Sequence, residues 1–185
     1  MKKMLLAATA MLIAAPAVAQ APAANPAPTI APAPSPDEMK LPRPARARGI
    51  PTALAIEAAQ AANANCLSTT YKTTTLVADS AGVPIVVISN DGAAAITQRI
   101  AMTKAQAVLK YKMSSGEVLA KAGTDTALAA AIKADPMIET ARPGAFPLKA
   151  GSETVGIISV SGAPGGEKDE VCAKAGIAAI QSRIQ

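Results

Sequence analysis

KTTTLVADSAGVPIVVIS, residues 72–89, is the stretch whose reading decides the fold. Lys72 to Ser80 is rich in threonine and valine, side chains that fit a pleated, half-buried surface, and predicts a strand. Ala81-Gly82 is a turn signal, and Val83 to Ser89 is a second, more apolar run. Pro84 stands near the start of that run, where a missing donor is tolerated. Two such runs joined by a short turn form a hairpin, and a hairpin makes an antiparallel sheet.

Working outward, helices surround this hairpin. Upstream, Thr52 is placed to cap an alanine-rich helix running to about Asn65, with Leu54, Ala58, Ala61 and Ala62 as its stripe. Downstream, Asn90-Asp91-Gly92 is a turn into a long helix, about Ala94 to Tyr111. At 100° per residue, Ile96, Ile100, Thr103, Ala107 and Tyr111 share one face; Gln98, Met102, Ala105 and Leu109 share another. A two-faced helix covers a sheet with one face and a second element or subunit with the other. Ser115 to Ala122 and Thr126 to Ala134 predict two short helices, the second stopped by Asp135-Pro136. Residues 142–152, with two prolines and two glycines, read as loop. Thr154 to Ser161 is almost continuously apolar and predicts a central strand. The last helix runs from about Glu167 to Arg183, with Ala173, Ile177, Ile180 and Ile184 inward. The fold class is α+β: one domain, residues 50–185, with an antiparallel sheet covered by helices.

The rest of the 185 residues is of another kind. Lys2 and Lys3, the apolar run Met4 to Ala15, and Ala17-Val18-Ala19 form a secretory signal over residues 1–19, cut after Ala19. Residues 20–49 are a proline- and alanine-rich linker, extended rather than packed. The expected location is therefore secreted or periplasmic, without stable membrane insertion after cleavage.

Composition removes several function classes. The net charge is +5, but residues 1–49 hold six Lys/Arg against two acids, and residues 50–185 hold twelve against eleven. The basicity belongs to the leader, so no nucleic-acid partner is expected. Tyr71, Tyr111 and Phe146 are the only aromatic residues, too few for a stacking platform. The chain has no histidine, which excludes His-based triads and His-ligated zinc. Met102, Met113 and Met137 form no ligand spacing, and no metal site is expected.

Four stretches stand out: Val77-Ala78-Asp79-Ser80-Ala81-Gly82; Asn90-Asp91-Gly92-Ala93; Lys104-Ala105; and VGIISVSG, residues 155–162, followed by DEVCAKAG, residues 169–176. In this order they resemble the GlcG/HbpS-like family of haem-binding proteins. The resemblance implies an α/β fold with an antiparallel sheet, homo-oligomers, and binding or degradation of haem. Two positions depart from the family pattern. Ser89 replaces the usual arginine before the DGA, and Pro143-Gly144-Ala145-Phe146-Pro147 replaces its glycine-rich loop. Any haem must be held without a histidine ligand, through Tyr, Met, Cys or Lys, or through its propionates alone.

Candidate ligand-binding residues are Lys104, Ser161, Gly162, Gly165 and Gly166. Backbone N–H groups of Gly165, Gly166 and the following helical turn can converge on an anion, aided by the helix dipole. Asp169 and Glu170 sit in that turn and compete by capping the same groups. Lys104 flanks the Ile96/Ile100 stripe; it either snorkels past the core edge or points a charge into a pocket, where it pairs with a propionate or small carboxylate. Asp79 and Asp91 read as turn residues. No paired acid and base and no activated nucleophile is visible, so no reaction is assigned.

Cys66 ends the first helix and Cys172 begins the last, and export places both in an oxidising compartment. Antiparallel packing of those helices predicts a Cys66–Cys172 disulfide; the alternative is two separate buried thiols. The expected function is an exported soluble protein that binds haem or a related small ligand. The alternatives are an enzyme or sensor for a small organic acid, and a ligand-free structural oligomer.

Overall fold

In the computed structural model, residues 47–185 are described; the predicted signal and nearly all of the linker lie outside them. Helix α1 is Thr52–Ser68, strands β1 and β2 are Thr74–Asp79 and Pro84–Ser89, and helix α2 is Ile96–Tyr111. Helices α3 (Ser115–Ala122) and α4 (Thr126–Ala134) follow, then strands β3 (Ala145–Ala150) and β4 (Glu153–Ser161), helix α5 (Gly166–Ile180) and a 3-10 turn, Gln181–Arg183. The sheet is antiparallel throughout, in the order β2-β1-β4-β3. The class is α+β.

The central strands are buried on both faces because helices cover both. β1 is buried from Thr74 to Ala78, and β4 from Val155 to Ser161. β2, at the edge, has only exposed and half-buried positions. Helices α1 and α5 pack on one face. Small residues let them approach closely: a Cβ on Gly176 would meet the Ala58 carbonyl at 2.6 Å and the Ile158 side chain at 2.7 Å. On this face Thr73 and Thr75 donate to Asn63 of α1, so the buried hydroxyls are satisfied. Helix α2 covers the other face over β1, β3 and β4.

Cys66 and Cys172 are joined as a disulfide, with Cα atoms 5.4 Å apart. It ties the last turns of α1 to the second turn of α5.

Several expectations need correction. Residues 142–152 are not all loop, since β3 pairs with β4 as an edge strand. Pro147 within it lacks a donor, which an edge strand tolerates. Thr52 is the first helical residue of α1 and makes no capping bond; Pro51 precedes it, and the helix continues to Ser68. The buried stripe of α1 is Ala55, Ala58, Ala59, Ala62, Asn63 and Cys66. In α2 the residues against the sheet are Ala101, Ala105 and Val108, while Ile96 is half exposed. Met102 and Leu109 are half-buried and pack beside that core. Ala107 and Tyr111 meet α3 and α4 instead. In α5 the fully buried residues are Cys172, Ala173, Gly176 and Ile180, with Asp169 among them; Ile177 and Ile184 are half-buried against the same core.

Helix α3 shows how local sequence sets an element. Ser114 accepts from the Glu117 N–H, and Glu117 accepts from the Ser114 N–H, a reciprocal cap that contributes about 1 kcal/mol. The Ser114 hydroxyl also donates to the Glu117 carboxylate at 2.7 Å, and this bond, followed by that from the Ser114 N–H, holds the Glu117 carboxyl below its usual range. A depressed carboxyl stabilises the fold at neutral pH, and that contribution is lost as pH falls through the folded pKa.

Candidate functional site

A cavity of about 390 Å³ opens where the start of α2, the end of β4 and the start of α5 meet. Its lining includes Ile96, Thr97, Ile100 and Lys104 from α2, then Ser161, Gly162, Ala163, Gly165 and Gly166, and Asp169 from α5. Arg142 and Pro143, just before β3, close it. All five ligand-binding candidates, Lys104, Ser161, Gly162, Gly165 and Gly166, therefore lie around one space.

The backbone there is specific to glycine. Gly162 has φ 128°, and a Cβ on it would sit 2.5 Å from the Lys72 carbonyl oxygen. Any side chain at this position would force the end of β4 off the start of β1.

Lys104 is 2% exposed and Asp169 3% exposed. The Lys104 ammonium donates to Asp169 Oδ2 at 2.6 Å and to the Val160 carbonyl at 2.8 Å. Asp169 accepts the Ala163 N–H at 2.9 Å with its other oxygen. Burial pulls the Lys104 pKa down and pushes the Asp169 pKa up; each is opposed by the partner's charge. Arg142 lowers Lys104 further. The pair thus joins α2, β4 and α5 across the floor of the cavity.

This arrangement revises two readings. Lys104 does not snorkel to solvent; it lines the cavity, and its charge is matched there by Asp169. Asp169 holds the loop and the lysine rather than capping the helix that contains it. The loop also uses its own donors: Gly165 N–H donates to the Ala163 carbonyl. Glu170 points elsewhere, against Gly116 in the first turn of α3. Asp79 accepts from the Ala81 and Val83 N–H groups and shapes the hairpin turn. Asp91 is exposed in its turn and has no side-chain hydrogen bond among the described residues. Asn90 makes the tertiary bonds there, to Asn63 and Thr73.

Arg142 was missed in the sequence because it precedes a strand read as loop. It is exposed, lines the cavity, and has no ion-pair partner among the described residues. It is the cation available to a ligand. A larger cavity, about 620 Å³, lies on the other side of Pro143, with Phe146, Pro147, Ile177 and Lys174. Glu117, Glu167 and Glu170 also wall it, a poor match for an anion. Among the described residues no group of three or more Cys, Asp or Glu is placed to hold a metal ion.

A family model described as "Haem degrading protein HbpS-like" matches residues 50–178. The crystal structure of HbpS is 26% identical; the match covers 72% of this chain and 92% of that one, with a TM-score of 0.64. A double mutant of HbpS from Streptomyces reticuli is 25% identical over 83% of this chain and 97% of that one, at a TM-score of 0.63. The crystal structure of a PduOC:heme complex shares the fold at 19% identity, covering 71% and 95%, with a TM-score of 0.64. No curated protein sequence matches the chain.

Proposed function

From the premise that this chain belongs to the HbpS-like family, we propose that it is an exported protein that binds haem or a closely related carboxylate-bearing tetrapyrrole, in the cavity beside Arg142. The observation that carries this reading is an arginine without an ion-pair partner, among the described residues, at the mouth of a cavity walled by Ile96, Ile100 and Pro143. An apolar wall with one unpaired cation suits a flat apolar ring that bears carboxylates. The PduOC structure, which shares the fold, is that of a haem complex and supports the same ligand class.

The residues present fit one part of haem. Arg142 would hold a propionate, and Gly162, Ala163 and Gly165 leave room for the ring edge. The lining offers no imidazole, thiolate or thioether, and both cysteines are in the disulfide. Haem supplies redox-active iron when bound; this chain's own residues grip the periphery of the ring. Lys104 and Asp169 keep the floor rigid by neutralising each other.

Export belongs to the same proposal. The disulfide suits an oxidising compartment, and no helix among the described residues is long and apolar enough to cross a membrane. Self-association, which the resemblance implies, is supported by the edge strand β2, on which Val87 is exposed, and by exposed Val83 just before it.

Titration of residues 50–185 with haemin, followed in the Soret band, tests the reading. The expected result is a saturable shift at one haem per chain. A spectrum that stays that of free haemin overturns it.

A further inference from the structure

Lys104 does more in this structure than a core filler needs to. It is a buried amine that borders a cavity, stands 2.6 Å from a carboxylate, and shares the cavity with a second cation, Arg142. An apolar core position of this size is met as well by methionine or leucine, without the cost of desolvating two charges. Desolvation and a neighbouring cation lower the proton affinity of nucleophilic lysines; here burial lowers that of Lys104 most, Asp169 opposes it, and Arg142 adds to the lowering. An ammonium has three donors. Two are used, by Asp169 and by the Val160 carbonyl, which leaves one position of the nitrogen without a partner among the described residues.

We propose that Lys104 forms an imine with a small 2-oxo acid whose carboxylate is held by Arg142. This goes beyond tetrapyrrole binding and does not rest on it; the two ligands share only the arginine and would compete for the cavity. In the first step the Lys104 ammonium passes a proton to Asp169 along their hydrogen bond, giving a neutral amine and a carboxylic acid. The amine lone pair attacks the ketone carbon and its π electrons move to oxygen, which takes up the proton that the nitrogen gives up. The resulting carbinolamine loses its hydroxyl as water, with the proton supplied by Asp169, which returns to carboxylate. The nitrogen lone pair then completes the C=N bond as a protonated imine. Overall, ammonium and ketone become iminium and water; Asp169 ends as it began, and nothing is oxidised or reduced. Arg142, the unpaired cation of the lining among the described residues, matches the one carboxylate of a small 2-oxo acid.

The test is borohydride trapping with pyruvate as the probe, on the folded chain, read by peptide mass spectrometry. The expected result is one reduced adduct per chain, on the peptide that contains Lys104. Arg142→Ala leaves the Lys104–Asp169 pair in place and should slow labelling about tenfold at low pyruvate, the effect of one charge-assisted hydrogen bond. Lys104→Arg keeps a cation opposite Asp169 and should abolish the adduct while circular dichroism shows the same fold. No adduct on the wild-type chain overturns the proposal. So does labelling spread over surface lysines such as Lys72 and Lys168, or a rate indifferent to Arg142. The Soret titration is read separately, so each proposal can fail without the other.

Discussion

Replacing Cys66 and Cys172 together with alanine is expected to lower the unfolding free energy by about 3–5 kcal/mol. The bond closes a loop with a sequence separation of 106, and the stabilisation grows with the length of chain that cross-linking restrains when unfolded. The consequence is local as well as global. Cys172 lies one turn beyond Asp169 in α5, so the disulfide fixes the helix that carries the buried carboxylate. Urea unfolding with and without reductant measures the effect: the midpoint of the wild-type chain should fall on reduction to that of the double variant. Equal midpoints in oxidised and reduced chains would show that the bond does not restrain the unfolded state.

The second large effect concerns Lys104 and Asp169. Asp169→Leu should cost about 3–5 kcal/mol, because it strands a buried ammonium with one carbonyl partner and frees the Ala163 N–H. Lys104→Met alone should cost a similar amount by stranding the carboxylate. The double variant Lys104→Met/Asp169→Leu should recover most of the loss, since an apolar pair of similar volume carries no desolvation penalty. A double variant whose loss equals the sum of the two singles would show that the groups do not act as a pair.

The parts of the fold visible in the sequence were those with a strong local signal. The threonine- and valine-rich run before Ala81-Gly82 defined the hairpin, and the apolar run from Val155 to Val160 defined a central strand. β3 was hidden because Pro147 and the flanking glycines carry turn chemistry, while its pairing comes from β4, a tertiary partner. The inward face of α2 was misplaced for a related reason. Ala101 and Ala105 are too small to mark a stripe, and Lys104 counts as polar although it is buried. The candidate residues of the glycine-rich turn were legible from their composition. Their relation to Arg142 was not, since it depends on how the segment before β3 crosses the mouth of the cavity. The Lys104–Asp169 pair was likewise invisible: both residues were noted, but nothing local to either shows that α2 and α5 bring them within 2.6 Å.

Under the proposed function the ligand enters beside Arg142 rather than in the larger, acid-walled cavity. The most direct measurement is the haemin dissociation constant of the wild-type chain, of Arg142→Ala and of Lys174→Ala, each from the Soret band under the same conditions. The expected result is about tenfold weaker binding for Arg142→Ala, the loss of one charge-assisted contact, and little change for Lys174→Ala. Unchanged binding in Arg142→Ala, with the loss falling on Lys174→Ala instead, would contradict it.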